Sequence, residues 1–375
     1  MPFSRAIWAE VSKSALANNA AEILKRAPGQ DLIAVVKANA YGHGLAGTAR
    51  ALKDIGVCHF GVASLWEGLE LKHEGIGGRG SRILILGYSL PSHADEVVAS
   101  GFCQTVISVH EIRMLAGASE RLGKPARVQI KIDTGMHRLG APPGDFPRLL
   151  DALERFPNVK LEGVYTHYAC ADEPENPLTG RQFKLFMETI APFELPGHVK
   201  LHASNSAAVV NFPRFKLDRV RVGIALFGHY ASLSVPRRMA LQPALSLKSR
   251  IAEIKALLPG QGAGYNHRFV NQAKSACRLG IIPVGYADGF MTASTGRREV
   301  LVRGHRCRVV GAVSMDFAHI LLPDDLSIGV GEPVTLIGRD GDEEITAQEL
   351  ATLLDTHVYE ILCLIPTRIP RKYVD

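Results

Sequence analysis

Ala34-Val35-Val36-Lys37-Ala38-Asn39-Ala40-Tyr41-Gly42-His43-Gly44 opens as a short apolar run and closes in a glycine-bearing turn. The run reads as a buried strand, and Gly42 and Gly44 let the backbone come close to a neighbour. Lys37 stands at the junction. An ammonium at the buried end of a strand is costly, so its pKa tends to fall and a neutral amine becomes available for Schiff-base chemistry. Four residues on, Tyr41 offers a hydroxyl suited to a phosphate oxygen. For Lys37 taken alone, the competing reading is a side chain that snorkels outward from a strand end.

Working outward, eight strand candidates succeed one another: Leu32 to Val36, Phe60 to Val62, Ile83 to Leu86, Thr105 to Ile107, Val128 to Ile132, Gly163 to Thr166, Val199 to His202, and Arg219 to Val222. Helical faces lie between them, such as Leu65 with Leu69, Phe146 with Leu149, Leu150 and Leu153, and Phe183 with Phe186, Met187 and Ile190. Strand and helix units repeated eight times predict an α/β fold, a (β/α)8 barrel of the TIM type, which takes about 250 residues. The chain has 375, so a second domain is expected. Near Pro243 the pattern changes to alternating segments, as in Leu245 to Lys248, Glu299 to Arg303, Arg308 to Val310 and Phe317 to Leu321. Residues 1–240 are therefore read as the barrel and 241–375 as a mostly β domain. A short strand, Ile7 to Glu10, precedes a helix that Ser12 or Ser14 can cap and whose Leu16, Ala20, Ile23 and Leu24 share a face. Thr346 and Glu349 have the spacing of a capping box before one late helix.

Hydrophobic residues make up 46% and charged residues 21% of the chain, the balance of a soluble globular protein. No stretch reaches the 18 or so uninterrupted apolar residues of a membrane helix. Met1-Pro2-Phe3-Ser4-Arg5-Ala6 has no basic segment followed by an apolar one, so a cytoplasmic location is expected. The six cysteines show no C-x-x-C spacing, which argues against a zinc knuckle or disulfide framework and for reduced, mostly buried thiols. The net charge is +6 and the pI about 9.0. No basic run exceeds a pair, so an anion-binding pocket explains the charge better than nucleic acid does.

Barrels of this kind place their chemistry at the C-terminal ends of the strands. There the sequence puts Lys37, then Asp133 with Arg138, His167, Asn205 with Ser206, and Arg221. Arg138 suits an oxyanion through two parallel hydrogen bonds, although a loop arginine on the surface reads the same way. His167 is open between a structural and a catalytic role. Ser206 opens a helix whose free N–H groups suit a phosphate, or is simply a cap. Gly223 permits close backbone approach beside Arg221, and Arg221 itself is open between a functional and a buried salt-bridge role. Tyr265, after Gly262-Ala263-Gly264, is a weak signal by itself.

The whole string from Val35 to Gly44 closely resembles the pyridoxal-phosphate lysine motif of the alanine racemase family. The similarity runs from Trp8 to Tyr373, through the stretches 128–140, 163–172, 202–208, 221–224, 262–265, 283–290 and 313–316. The resemblance implies that Lys37 carries pyridoxal 5′-phosphate, whose phosphate is shared by Tyr41, Ser206, Gly223, Ile224 and Tyr359. Arg221 would face the pyridine nitrogen. His167 would bridge that arginine and the catalytic tyrosine. Arg138 and the backbone N–H of Met315 would hold the substrate carboxylate, and Tyr286 would line the entrance. Lys131 occupies a position often carboxylated by carbon dioxide. Tyr265 would be the second base, supplied by the partner subunit of a head-to-tail homodimer, because inversion needs proton removal on one face and delivery on the other. The activity implied is interconversion of L- and D-alanine, feeding D-alanine to peptidoglycan, with no metal.

Serine, or a broader set of amino acids, is an alternative substrate range. A basic amino-acid decarboxylase shares the two-domain plan, but such enzymes set a carboxylate where Arg221 stands. A non-catalytic pyridoxal-phosphate carrier resembles the barrel alone and would leave residues 243–375 without a purpose. The chain also departs from the family pattern at Val222, Phe227, Asn266 and Ala312, changes expected to alter the access corridor.

Overall fold

The computed structural model describes residues 6–78 and 80–375. The leader reading at Met1 to Arg5 therefore lies outside the described residues. Two compact units emerge: one holds Ser14–Tyr41 and Leu45–Gln242, the other the chain up to Lys13, Gly42–Gly44 and Pro243–Asp375.

The first unit is a closed barrel of eight parallel strands: β2 (Asp31–Val35), β3 (His59–Val62), β4 (Arg82–Ile85), β5 (Cys103–Val106), β6 (Ala126–Lys131), β7 (Val159–Tyr165), β8 (Lys200–His202) and β9 (Arg219–Val222). Each expected strand is present, shifted by a residue or a few, and closure comes where Asp31 to Ala34 pair with Arg219 to Val222. Strands of a closed barrel are buried on both faces, and β5 is buried at every position although it includes Gln104 and Thr105. The helices between strands are fixed by side-chain caps: Ser64 with Glu67 and Ser108 with Glu111 form full capping boxes. Glycines in the left-handed region, Gly101 and Gly123, stop two of them. Outside the barrel, Phe183 stacks on Phe215 at 4.2 Å.

The second unit contains a ten-stranded sheet. Here the expected boundary needs correction, because β1 (Ile7–Ser12) does not belong with the barrel. It lies between β10 (Leu245–Arg250), to which it is antiparallel, and the last strand Arg371–Val374, to which it is parallel. Alternation explains this: Ile7, Ala9 and Val11 are buried while Trp8, Glu10 and Ser12 are only partly so, a pattern of a half-exposed sheet rather than of a barrel stave. Arg303 and Gly304, both at positive φ, close the tight hairpin between Val302 and His305. The late region holds two helices, Ala347–Leu353 and Val358–Cys363, rather than one. Thr346 caps the first as expected, accepting from the Glu349 N–H at 2.9 Å, but the Glu349 carboxylate turns to Arg306 instead of completing the box.

Gly42 and Gly44 are gripped within this unit. A Cβ on Gly42 would lie 2.0 Å from the Leu362 carbonyl oxygen. Arg371 donates to the Gly42 carbonyl from Nε and Nη2, and the Tyr373 hydroxyl lies 2.9 Å from the carbonyls of His43 and Gly44. Close backbone approach is thus the reason for glycine at 42. Two smaller expectations fail: Leu24 is 41% exposed, and of six free cysteines only Cys103 and Cys307 are buried.

Candidate active site

Lys37 follows β2 at the C-terminal end of the barrel, half-buried. The chain then makes one left-handed turn, with φ and ψ near 50° at Ala38, Asn39 and Ala40, and φ of 52° at Tyr41. Each L-residue there costs about 1–2 kcal/mol, so local contacts must hold the turn. The Ala38 N–H donates to Glu67 Oε1 at 2.7 Å, and Asn39 Oδ1 accepts from the Leu45 N–H at 2.9 Å. The turn brings Tyr41 back against Phe227, with ring centroids 5.0 Å apart, and against Gly223.

Gly223 follows β9, and an added Cβ would stand 2.3 Å from the Tyr41 hydroxyl oxygen. Beside it the N–H groups of Gly223 and Ala225 point to Ser206 Oγ at 3.3 and 3.4 Å. Ser206 opens the helix Ser206–Asn211, whose cap is Asn205, accepting from the Ala208 N–H at 3.0 Å. Tyr41, Ser206 and Gly223 are therefore neighbours, with Ile224 next in the chain. Two hydroxyls and converging N–H groups, with the Gly223 backbone approached so closely that no side chain fits there, fit the oxygens of a phosphate.

Arg221 is 4% exposed and has no carboxylate partner among the described residues. Its Nη1 donates to His202 Nδ1 at 2.7 Å; its Nη2 donates to the carbonyls of Thr166 (2.7 Å) and Ala203 (3.1 Å) and to His167 Nδ1 (3.0 Å). Tyr165 lies under the guanidinium at 4.8 Å and stacks on His202 at 4.8 Å. His202 Nε2 in turn meets Gln129 Oε1 at 2.7 Å. Burial lowers the Arg221 pKa to about 10, with Tyr165 and Tyr168 acting in the other direction, so it stays charged at neutral pH. Burial and then the charge of Arg221 hold both His167 and His202 well below the usual histidine range, hence neutral.

Lys131 ends β6, 6% exposed. Burial, then Arg221 and Arg138, with Lys37 further off, bring its pKa down to about 8 against the pull of Asp133. Arg138 is exposed on the loop that follows. That loop is shaped by Asp133: burial works to raise its carboxyl, but N–H donors from Gly135, His137 and Met136 outweigh this and hold it low. Gly140 is required, since a Cβ there would lie 2.7 Å from the Asp133 nitrogen. Four cations, Lys37, Lys131, Arg138 and Arg221, thus act on one another around a neutral His167. Such a mouth fits a multiply anionic, phosphate-bearing ligand.

The other sequence-read residues belong to the second unit. Tyr265 is 70% exposed, on a short turn in which Gly264, Asn266 and His267 all have positive φ. Asparagine tolerates this region, which accounts for Asn266 in place of glycine. Met315 is 54% and Tyr286 47% exposed. Their loops clasp each other: Tyr286 and Ala287 N–H groups donate to the Ser314 and Met315 carbonyls at 3.0 and 3.1 Å, and Gly285 leaves no room for a Cβ. Tyr359 is partly buried on Val358–Cys363. Val222 and Phe227 are fully buried in the barrel unit, and Phe227 packs against Tyr41. Sequence reading missed Tyr165, Gln129 and Glu67 and gave His202 no role; a polar residue inside a barrel strand is the signal that could have exposed His202 and Gln129.

A barrel whose mouth gathers Lys37, Lys131, Arg138 and Arg221 around a neutral His167, with the hydroxyls of Tyr41 and Ser206 at Gly223, has the make-up of an enzyme acting on a small anionic molecule. The family description "Alanine racemase, N-terminal domain" matches residues 11–231, and "Alanine racemase, C-terminal domain" matches 244–373. An alanine racemase of Symbiobacterium thermophilum is 41% identical over 98% of this chain and 97% of its own. Among solved structures, alanine racemase from Bacillus anthracis with bound L-Ala-P has a TM-score of 0.92 and 35% identity, covering 100% of this chain and 96% of that one. A histidine racemase from Leuconostoc mesenteroides has a TM-score of 0.91 at 29% identity, covering 100% and 99%. The chain belongs to the alanine racemase family.

Proposed function

We propose that this chain interconverts L- and D-alanine with pyridoxal 5′-phosphate, as a cytoplasmic homodimer supplying D-alanine for peptidoglycan. Lys37 would hold the cofactor; Tyr41, Ser206, Gly223, Ile224 and Tyr359 would bind its phosphate, and Arg221 would meet its ring nitrogen. When bound, the cofactor withdraws electrons from the substrate carbon and acidifies its hydrogen. Lys37 takes or returns that proton on one face and Tyr265 of the partner subunit on the other, as inversion requires. Arg138 and the Met315 N–H hold the substrate carboxylate against the proton acceptors. Lys131, carboxylated by carbon dioxide, would become an anion that orients Arg138 and relieves the crowding of cations.

The observation that carries this reading is the set of neutral partners around Arg221. A guanidinium keeps its proton, so a ring nitrogen facing it stays unprotonated. Bound there, the cofactor would be a weaker electron sink, which would favour return of the proton to the substrate carbon over cleavage of other bonds. A decarboxylase would need a carboxylate there instead. L-Alanine incubated with the protein and pyridoxal 5′-phosphate in deuterated water should lose its chirality and gain deuterium at Cα. Release of carbon dioxide from lysine, or no turnover with the cofactor bound, would overturn the assignment. Lys37→Ala should abolish nearly all turnover.

A further inference from the structure

The N-terminal end of the barrel, opposite Lys37, holds a cavity of about 230 Å³. Its apolar floor is formed by Ile33, Phe60 and Leu84, and Ile33 and Leu84 belong to a buried cluster with Cys103 that closes the barrel interior. Its polar wall carries His59, Arg82, Arg219 and Glu162. The charges do not cancel. The Glu162 carboxylate is taken by Arg127, and Arg219 Nε lies 3.4 Å from Asp31. Arg82 makes no ion pair with any described residue and stands at the rim as the uncompensated cation. His59 feels the same excess: burial, then Arg219 and more weakly Arg82, lower its pKa, and Asp31 and Glu162 do not restore it.

We propose that this cavity binds a small monocarboxylate with a short apolar tail. A guanidinium recognises a carboxylate through two parallel hydrogen bonds, and Arg82 has its donors free for that. The tail would cover Ile33, Phe60 and Leu84. The volume lies below the usual ~300–1,000 Å³ of drug-sized pockets, which limits the ligand to a few carbons. Phosphate is the poorer fit, since a fully hydrated tetrahedral anion would set one polar face against the apolar floor. All of the groups concerned lie within the barrel unit, so the inference stands whatever the reaction at the other end.

His59 is a reporter inside the cavity. In the full-length protein labelled at histidine Cε1, its resonance, assigned with His59→Gln, should move saturably with sodium butyrate, and its pKa should rise because a bound carboxylate favours the imidazolium. Asp31, Glu162, Arg82 and Arg219 are the charged groups that act on it, and His198 and His202 are the other titratable groups near it, so its titration is compared with and without butyrate under otherwise identical conditions. Arg82→Gln, at an exposed strand start, should weaken butyrate at least tenfold while the other histidine signals stay in place. Leu84→Phe, which fills the floor, should weaken it with Arg82 intact. An unmoved His59 with butyrate bound elsewhere, an equal response to sodium chloride or phosphate, or unchanged affinity in both variants would overturn the proposal.

Discussion

Gly223→Ala tests the phosphate cradle through a single methyl. The new Cβ would stand 2.3 Å from the Tyr41 hydroxyl, 2.8 Å from its Cζ and 3.2 Å from its Cε2. Restoring ordinary contact, at ~3.4 Å, requires the phenol to retreat by about 1 Å. The ring has little room, because Tyr41 is 8% exposed and Phe227, packed against it, is fully buried. Overpacking of this kind costs about 1–3 kcal/mol of stability. A hydroxyl moved by that distance no longer makes its hydrogen bond to a phosphate. Bonds to charged groups contribute about 1.5–3 kcal/mol, so pyridoxal phosphate should bind roughly 10- to 150-fold more weakly. Titrating the apoprotein with the cofactor, followed by absorbance, measures this directly. Adding Tyr41→Phe removes the closest contact and should recover part of the stability but none of the affinity. A Gly223→Ala protein that binds cofactor within twofold of the parent would refute the cradle.

Ala38→Gly should leave thermal stability unchanged or raise it, because the left-handed turn costs alanine about 1–2 kcal/mol; a glycine in an ordinary helix lowers it, and a lowered midpoint on calorimetry would contradict the turn. Lys131, at about 8 in the folded chain and near 10.4 unfolded, is held partly neutral, so the unfolded state binds more protons in that window. Stability in urea should rise with pH between the two values, and Lys131→Met should flatten the rise. His167 and His202, both lowered by burial and Arg221, contribute with the same sign in a more acidic window: unfolding takes up protons as pH falls below the ordinary histidine value, so stability should drop there. Tyr265→Phe, at an exposed position, should leave the unfolding midpoint within about 1 °C yet reduce racemisation by at least a hundredfold, with deuterium exchange lost from one enantiomer first.

The clearest staves were legible because parallel strands buried on both faces leave uninterrupted apolar runs, such as Leu32 to Val36. The place of Ile7–Ser12 was not. Its alternation speaks of a sheet with one exposed face, but its partners lie more than two hundred residues away in β10 and Arg371–Val374, and nothing local encodes that pairing. At the site, residue types that bear chemistry were visible at the strand ends, and family likeness gave them roles. The left-handed turn after Lys37 was not visible, since only Asn39 among its residues favours positive φ and the turn depends on Glu67, distant in sequence. The buried support of Arg221 escaped for a similar reason: Tyr165, His202 and Gln129 look like ordinary strand residues until closure of the barrel turns them toward one another.

That support is directional, and the direction bears on the second base proposed above. A guanidinium can only donate, so both His167 and His202 must accept at Nδ1 and carry their hydrogen at Nε2. His202 delivers its Nε2–H to Gln129 Oε1, which fixes the amide as well. His167 is left with a donor on its other nitrogen. If it meets the phenol of Tyr265 of the partner subunit, it must do so as donor to the oxygen. A hydrogen bond to the charged form lowers a pKa, so His167 would favour the tyrosinate that can accept a proton from the substrate carbon. Under the proposed function, Arg221 would thus set the tautomer of the histidine that tunes the base, besides keeping a facing ring nitrogen unprotonated. None of its partners among the described residues is an acid, and a carboxylate in place of either imidazole would pair with the guanidinium and break the donor chain.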